Sequence, residues 1–409
     1  DMPPHVRSEV EKWVENEGKL GKRIIAVGKK SLISRLENLA HDEKGLEFVG
    51  LVSFVDPLKK TAQAAIKRAG TLGVQIKILT GDSKEVAGAV AFQSGLIQNP
   101  SDVITGDQFD ALSSSEQHNI TSQYSVFARV SPEQKHQIIQ LLQERYEVGF
   151  LGEGINDAPA LKVANVAIVV QEASDIAREA ADIVLLNKSL HVVIDGIKEG
   201  REIFGNTAKY IKATLASNLG NFYTVAIASL FITFLPLLPL QILLINLLTD
   251  FPMIAVATDN VDGTELKRPR NYDVKEIALF ATVMGIVSSI VDFLFFALFF
   301  RISPQVLQTN WFIGSVLTEL VFLFSIRTRL PILKATPPSI PLITLSGVAF
   351  LTSIILPFTT LGHIVFEFIT PNMHYIILIL IITGGYFITT EVVKLMYYRF
   401  VNGKNNNFQ

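Results

Sequence analysis

The sequence contains no cysteine, and its 36 Lys and Arg residues are balanced by 38 Asp and Glu residues. The absence of cysteine excludes disulfide bonds and thiolate metal ligands. A net charge of -2 leaves no basic surplus, so we expect no nucleic-acid partner. The first residues also lack the basic and apolar pattern of a signal peptide. Because Asp1 followed by Met2 does not look like a natural N-terminus, we expect the chain to be part of a longer polypeptide.

Charged residues are unevenly distributed along the 409 residues, a length that already favours more than one domain. Most of them precede about Lys212, and the remainder is rich in Leu, Ile, Phe, Val and Thr. That composition is typical of a polytopic membrane protein. The sequence therefore predicts a soluble N-terminal half and an all-α membrane half.

Six apolar segments in the second half have about the length that a bilayer requires. They comprise residues 211–235, 240–258, 277–300, 311–326, 342–361 and 375–395. Clusters of Lys and Arg follow the second, fourth and sixth segments and include Lys267, Arg327 and Lys394. The positive-inside rule predicts that these connections, the soluble half and both ends of the chain are cytoplasmic. We expect a multi-pass protein of the plasma membrane, with the lipid bilayer as a partner.

Several amide, hydroxyl and carboxylate groups lie within these apolar segments, where lipid would not tolerate them unless they faced protein or water. Hard cations prefer such oxygen ligands, and side chains three or four residues apart share one helix face. The candidate ligands of a transported cation are Asn218, Asn221, Asn246, Thr249, Asp250 and Glu319. Interhelical hydrogen bonding is the alternative for Glu319, and we interpret Asp292 and Glu391 as structural. Pro252 is expected to interrupt the second span.

Short β-rich segments alternate with helical stretches between residues 50 and 186. The predicted strands are residues 74–79, 126–130, 148–151, 166–170 and 183–186. Their alternation with helices, such as residues 133–146, indicates βαβ units and a mainly parallel sheet with helices on both faces. In such folds the chemistry gathers at the C-terminal ends of the strands.

A Thr80-Gly81-Asp82 turn directly follows the first of these strands. Glycine permits a tight exit from the strand, and a hydroxyl or amide there can hold an oxyanion. Lys135, in the helix that follows a Ser-Pro pair, could present its ammonium group to a phosphate. The alternative for Lys135 is a solvated helix lysine. Asp56 opens another helix, where its default role is that of an N-cap.

A second motif, Gly-Glu-Gly-Ile-Asn-Asp-Ala-Pro-Ala at residues 152–160, follows the strand that ends at Leu151. It contains the carboxylates of Glu153 and Asp157 and the amide of Asn156. Paired acids with an intervening amide near a strand end suit a Mg²⁺ ion that is partly held by phosphate.

Taken in order, the motifs at residues 56–57, 80–82, 131–135 and 152–161 strongly resemble the second half of the phosphorylation domain of P-type cation-transporting ATPases. In that family the domain has a haloacid-dehalogenase-like α/β fold with a Rossmann-type parallel sheet, and it continues through a stalk helix into six membrane helices. The resemblance covers nearly the whole chain. It implies the end of a nucleotide-binding domain at residues 1–45, the C-terminal part of the phosphorylation domain at 46–188, a stalk helix at 189–211 and a transmembrane domain at 212–400.

The resemblance also implies a transport cycle in which ATP phosphorylates an aspartate, with ATP and Mg²⁺ as cofactors. By matching positions, Thr80 and Gly81 would contact the phosphoryl group, and Lys135 would neutralise its charge. Asp82 would act near the hinge and the nucleotide, and Asp56 would also belong to the nucleotide site.

In the same way Glu153 and Asp157 would bind Mg²⁺, and Asn156 would complete that catalytic site. The family has aspartate where this chain has Glu153, so one metal ligand is displaced by a methylene group. In a catalytic site a displacement of about an ångström can cost roughly a hundredfold in rate.

The chain lacks the family's Asp-Lys-Thr-Gly-Thr motif, which bears the phosphorylated aspartate, and the Thr-Gly-Glu motif of its actuator domain. The resemblance assigns these motifs and the first four membrane helices to a missing N-terminal half. We therefore predict that this chain alone neither hydrolyses ATP nor transports.

Residues 217–222, 259–262 and 311–312 look most like the magnesium-transporting branch of the family, so Mg²⁺ is the first expected cargo. The Thr249-Asp250 pair and Glu319 are closer to calcium pumps, so Ca²⁺ is the next. Two other classes remain open on the sequence alone. One is a soluble phosphatase of the haloacid-dehalogenase-like superfamily fused to an unrelated membrane anchor, and the other is a non-catalytic pseudo-pump or membrane subunit.

Overall fold

The computed structural model describes residues 3–30, 45–55 and 57–405, with only the backbone for residues 401–405. The chain divides into two compact units, Asp1–Ile197 and Lys198–Gln409. Asp56, the candidate nucleotide-site residue, lies outside the described residues.

The first unit alternates short strands with helices. Its helices are α1 (Pro4–Lys19), α2 (Ala62–Thr71), α3 (Lys84–Gln93), α4 (Gly106–Asp110), α5 (Ser114–Gln123), α6 (Pro132–Gln143), α7 (Ala158–Val163) and α8 (Asp175–Glu179). Its strands are β1 (Lys22–Lys29), β2 (Glu47–Val55), β3 (Ile78–Leu79), β4 (Ile104–Thr105), β5 (Val126–Ala128), β6 (Gly149–Gly152), β7 (Val166–Val170) and β8 (Ile183–Leu185).

Serine residues are the N-caps of several of these helices. Ser83, Ser131 and Ser174 each accept a hydrogen bond from a backbone N–H in the first turn of α3, α6 and α8. Such caps satisfy donors that have no partner inside the helix, and they fix the residue at which the helix starts. The first turns of α3 and α6 therefore lie close after the strands that precede them.

The strands form separate sheets. β1 pairs antiparallel with β2, β3 and β4 each pair parallel with β5, and β7 pairs parallel with β6 and β8. The predicted parallel pairing is confirmed. The parallel strands are nevertheless divided between two three-stranded sheets rather than joined in one. β3 also begins four residues later than the predicted 74–79 segment.

The second unit is helical. Its helices are α9 (Leu190–Ala228, which begins in the first unit), α10 (Pro239–Ala255), α11 (Val274–Phe299), α12 (Pro304–Ile326), α13 (Ile340–Ile355), α14 (Thr360–Val365) and α15 (Met373–Asn405). Within the described residues, five helical segments are long and apolar enough to cross a membrane. They are Pro239–Thr258, Val274–Phe299, Pro304–Ile326, Ile340–Phe358 and Met373–Phe400.

The predicted count of six spans is not confirmed. The first predicted span, residues 211–235, lies in α9, which ends at Ala228. The remaining residues of that segment form turns and irregular backbone. α9 is not among the five spans.

α12 is the most buried of the five spans, with 83% of its apolar window inside the protein compared with 28–39% for the others. It is therefore the central helix of this unit. Pro252 lies inside α10, which continues to Ala255 and then tightens into a 3₁₀ turn, Val256–Thr258. The interruption expected at Pro252 is absent from this described helix.

Candidate functional site

The Thr80-Gly81-Asp82 turn lies at the C-terminal end of β3, as predicted. The Thr80 hydroxyl donates to Oδ2 of Asp82 over 3.0 Å and accepts from the Asp82 backbone N–H over 3.1 Å. Arg23 of β1 donates to the same carboxylate oxygen over 2.9 Å. These bonds hold the turn in one shape and leave Gly81 with open space beside its Cα.

The segment between β5 and α6 joins this turn to Lys135. The backbone N–H of Val130 donates to the carbonyl of Thr80 over 3.1 Å, and that of Arg129 donates to the carbonyl of Asp82 over 2.9 Å. The next residue, Ser131, caps α6, with Pro132 at its first position. Lys135 therefore lies one turn into a helix whose start is fixed against the Thr80-Gly81-Asp82 turn.

Lys135 and Asp157 form an ion pair, with 2.7 Å between Nζ and Oδ1. Both side chains are mostly buried, at 13% and 16% exposure. The other carboxylate oxygen of Asp157 accepts from the backbone N–H groups of Glu153 and Gly154, over 3.2 and 3.1 Å. Three donors thus fix this carboxylate at the end of β6.

These contacts set the charge of Asp157. Burial by itself raises the pKa of a carboxyl group, because it disfavours the charged form. The hydrogen bond and the charge of Lys135, together with the Gly154 and Glu153 N–H groups, outweigh burial and lower the pKa of Asp157 below its ordinary value. Asp157 is therefore a carboxylate at neutral pH.

Gly152 makes this arrangement possible. A Cβ atom added at Gly152 would lie 2.8 Å from Cβ of Asp157 and 3.0 Å from the ring of Phe150. No real side chain tolerates the first of these distances, so the chain approaches Asp157 this closely only because residue 152 is glycine.

The side chains of Glu153 and Asn156, the other residues predicted at the Mg²⁺ site, are more exposed than that of Asp157. The Glu153 side chain is 71% exposed, and its nearest cation is Lys188, with 3.9 Å between Nζ and Oε2. Asn156 is exposed. In the described part of the chain no three His, Asp or Glu side chains form a metal-binding group. Proteins commonly bind Mg²⁺ through one or two carboxylates plus phosphate and water, so the donors at Asp157, Glu153 and Asn156 fit this ion.

The structure thus brings two pairs of predicted residues to neighbouring strand ends: Thr80 with Asp82, and Lys135 with Asp157. Across residues 57–405 no side-chain hydrogen bond joins one pair to the other, and the backbone bond of Val130 to Thr80 provides the link. Arg23 was not among the predicted site residues. A single arginine in a strand carries no signal in sequence, because only the fold brings it to Asp82.

In the second unit, Glu319 of α12 is the centre of the predicted ion-site residues. Its Oε1 accepts from the Ser217 hydroxyl over 2.7 Å, and Thr249 and Asp250 of α10 interact with the same carboxyl group. Ser217 is a residue that the sequence analysis missed, although it directly precedes the predicted Asn218. Asn221 and Glu319 also line one cavity of about 20 Å³.

The remaining predicted ligands lie apart from this cavity. Asn218 and Asn246 are exposed, and among the described residues neither makes a side-chain hydrogen bond. Asp250 is also exposed, although it lies within electrostatic range of Glu319. Asn221 is exposed as well, although it lines the cavity, so four of the six predicted ligands are exposed on α9 and α10, and Thr249 and Glu319 are the less exposed two.

The two carboxylates that we interpreted as structural are both bonded to neighbouring helices. Asp292 accepts from Thr224 over 3.0 Å and from the indole N–H of Trp311 over 2.9 Å. Glu391 accepts from Ser325 over 2.9 Å and from Lys394 over 2.7 Å. These bonds are consistent with the structural interpretation, but Asp292 also lines the cavity that contains Glu319.

Two protein families match this chain. Residues 3–165 match the family described as haloacid dehalogenase-like hydrolase, and residues 234–396 match the family described as cation transporting ATPase, C-terminus. Together these matches cover parts of both compact units.

Curated relatives extend the likeness over nearly the whole chain. A magnesium-transporting ATPase, P-type 1, of Escherichia coli (strain K12) is 37% identical over 401 residues, which are 96% of this chain and 44% of that protein. Its Salmonella typhimurium counterpart is 38% identical over 95% of this chain and 44% of its own length. A calcium-transporting ATPase of Bacillus subtilis (strain 168) is 31% identical over 81% of this chain and 38% of its own length. The chain thus spans less than half of each relative.

Proposed function

The chain belongs to the family of P-type cation-transporting ATPases, and we propose that it forms the C-terminal part of an ATP-driven pump that carries Mg²⁺ across the plasma membrane. The pump would work through a phosphoaspartate cycle, with the soluble unit in the cytoplasm. One observation carries the proposal: the Lys135–Asp157 ion pair lies next to the chain segment that bonds the Thr80-Gly81-Asp82 turn. Activity, cargo and partners are those of the longer protein, of which this chain represents less than half.

In this proposal the residues at the strand ends act on a phosphoryl group. The Thr80 hydroxyl and the open backbone at Gly81 contact its oxygens, and the Lys135 ammonium neutralises their charge. Asp157 would hold Mg²⁺ with help from Glu153 and Asn156. When bound, this ion would supply positive charge to the phosphate oxygens.

The buried groups at Glu319 support a cation pathway through the second unit. Ser217 of α9 and the buried Thr249 of α10 carry oxygen atoms close to the Glu319 carboxyl group, and the exposed Asp250 lies within electrostatic range of it. Oxygen ligands of this kind suit Mg²⁺ and Ca²⁺, and a charged residue among apolar helices is most often functional. The relatives at higher identity are named magnesium-transporting, which favours Mg²⁺ as the cargo.

Polar residues on the surface of α9 and α10 support a missing N-terminal half as a partner. Asn218 is exposed on the C-terminal part of α9, and Asn246 and Asp250 are exposed on the mainly apolar α10. The free-energy cost of a charged carboxylate exposed to lipid is about 3 kcal/mol at the bilayer centre. Helices from the rest of the pump would cover these groups and remove that cost.

A transport assay with the full-length protein tests the function. The purified pump is reconstituted in liposomes with a fluorescent indicator for divalent cations, and ATP is added on the side of the soluble unit. We expect ATP-dependent Mg²⁺ movement, which Asp250→Asn abolishes and Asp273→Asn, at the exposed start of α11, retains. Movement of Ca²⁺ in place of Mg²⁺ would assign the alternative cargo, and the absence of both would contradict the proposal.

Radiolabelled ATP tests which half of the pump carries the aspartate that accepts phosphate. The aspartate that accepts phosphate would lie in the N-terminal half, so the full-length pump should form an acid-stable phosphoenzyme and this chain alone should not. Labelling of the isolated chain would show that the acceptor lies within residues 1–409.

A further inference from the structure

A small cavity lies among four helices of the second unit. Its volume is about 20 Å³, and room for a single water molecule requires roughly 10–15 Å³. α9 contributes Ser217 and Asn221, α11 contributes Ser288 and Asp292, α12 contributes Glu319, and α15 contributes Tyr386. Oxygen-bearing side chains therefore line the cavity together with the apolar Ala216, Met284 and Phe322, and it has room for one small occupant.

Asp292 is 4% exposed, and its known partners are both neutral. The Thr224 hydroxyl binds one carboxylate oxygen and the Trp311 indole N–H binds the other. Throughout the described residues, neither Asp292 nor Glu319 forms an ion pair with Lys, Arg or His. Two carboxyl groups that line one cavity therefore lack a protein cation.

Such a pair is costly to keep charged. A buried ionised carboxylate is tolerated when it is paired or when it coordinates a metal. Neutral hydrogen bonds reduce the cost for Asp292 but supply no positive charge. A cation in the cavity would supply that charge to both carboxylates, and hydroxyl and amide oxygens would complete its coordination.

We propose that this cavity is a binding position for the transported divalent cation, with Asp292 and Glu319 as its two carboxylate ligands. The proposal rests on the proposed pump function and goes beyond it, because it moves Asp292 from a structural role to a ligand. It also locates a cargo position on the side of α9 that lines the cavity, among α11, α12 and α15. Ser217 and Asn221 are the neutral ligands on this side.

Trp311 is a built-in reporter of this cavity, because its indole N–H donates directly to Asp292. The chain contains two tryptophans, and Trp13→Phe leaves Trp311 as the sole one. This variant of the 409-residue chain, purified in lipid nanodiscs, is titrated with Mg²⁺ and then with Mn²⁺, a paramagnetic quencher with similar ligand preference. We expect a saturable change in Trp311 emission with Mg²⁺ and quenching by Mn²⁺ that excess Mg²⁺ reverses.

Variants in the same background assign the ligands. Asp292→Asn keeps the size of the side chain and an acceptor for Trp311 but removes the charge. It and Glu319→Gln should each weaken the apparent affinity by about tenfold or more, as loss of a group that supports a metal does. Asp273→Asn, which removes a carboxylate at the exposed start of the same helix, should leave the titration unchanged.

Unchanged affinity in Asp292→Asn would overturn the proposal. A Trp311 emission in the Trp13→Phe protein that does not change with either metal, in protein whose circular dichroism shows it folded, would also overturn the proposal. The test is separate from that of the pump function. A silent Trp311 in a pump that transports would refute only the cavity, whereas metal binding at Trp311 in a protein that never moves Mg²⁺ or Ca²⁺ would refute only the pump.

Discussion

Lys135 Nζ lies 2.7 Å from Asp157 Oδ1, although 22 residues separate them in sequence. The pair joins the first turn of α6 to the turn after β6, and so connects one parallel sheet to the other at their C-terminal ends. Because both side chains are mostly buried, removal of one charge leaves the other in a poorly solvated position.

Lys135→Gln should therefore destabilise the first unit. We expect a loss of about 1–3 kcal/mol, because the Asp157 carboxylate loses its cation but keeps two backbone donors. Lys162→Gln, at an exposed position at the end of α7, should change the free energy of unfolding by less than about 0.5 kcal/mol. The measurement is urea unfolding of the chain in detergent. In a double-mutant cycle with Asp157→Asn, a coupling energy near zero would show that the pair contributes nothing.

The lowered pKa of Asp157 predicts a dependence of stability on pH. A carboxyl group whose folded pKa lies below its unfolded value, about 3.9, stabilises the fold above that unfolded value. This contribution is lost as the pH falls through the folded pKa. The difference in unfolding temperature between wild type and Asp157→Asn should therefore be constant from neutral pH to about pH 5 and shrink below about pH 4. If the difference in unfolding temperature between wild type and Asp157→Asn grew on acidification, the lowered pKa of Asp157 would be contradicted.

Gly152→Ala should disturb the same site through sterics alone. The new methyl group would lie 2.8 Å from Cβ of Asp157, so the carboxylate must move away from Lys135. We expect a loss of about 1–3 kcal/mol in the free energy of unfolding. Gly70→Ala in α2 is the matched control, because its Cβ meets nothing within 4 Å. Alanine in a helix should make that variant more stable by about 0.5–1 kcal/mol, so the two substitutions should have opposite signs.

The sequence predicted the local parts of this site because local chemistry determines them. The start of α6 follows from a Ser-Pro pair and the capping Gln134, which are visible as a pattern, and the helix Pro132–Gln143 lies within one to three residues of the predicted 133–146. β7 was predicted at the residues where it occurs, because a continuous run of Val, Ala and Ile indicates a buried strand.

Long-range contacts were not predictable in this way. β4, Ile104–Thr105, has two residues, too few for any periodicity to appear. Ser217 and Asp292 are recognised only by their partners on α12. Ser217 binds Glu319, 102 residues away in sequence, and Asp292 binds Trp311, 19 residues away. The first predicted span, residues 211–235, is not confirmed for a related reason, because a hydropathy window does not reveal that α9 ends at Ala228.

Asp259 should be the most sensitive carboxylate outside the candidate sites. It lies after α10 with a fully buried side chain and pairs with both Lys209 and Arg327, at 3.1 and 2.9 Å. Asp259→Ala would leave two buried cations without a counter-charge, so we expect a loss of about 3–5 kcal/mol. Glu199→Gln, at an exposed position of α9, should stay within about 0.5 kcal/mol. Equal melting temperatures of the two variants in detergent would contradict this role.

The approach of α9 to α11 depends on Gly285, and this contact adjoins the cavity of Asp292. A Cβ at Gly285 would lie 3.1 Å from the backbone nitrogen of Gly220 and 3.2 Å from the carbonyl oxygen of Ala216. Backbone atoms cannot change rotamer as a side chain can, so Gly285→Ala must push the two helices apart. It should lower the free energy of unfolding by about 1–3 kcal/mol. Gly384→Ala in α15, where a Cβ meets nothing within 4 Å, should be neutral or stabilising. If Gly285→Ala melts no earlier than Gly384→Ala, close packing of α9 on α11 is not what shapes the cavity.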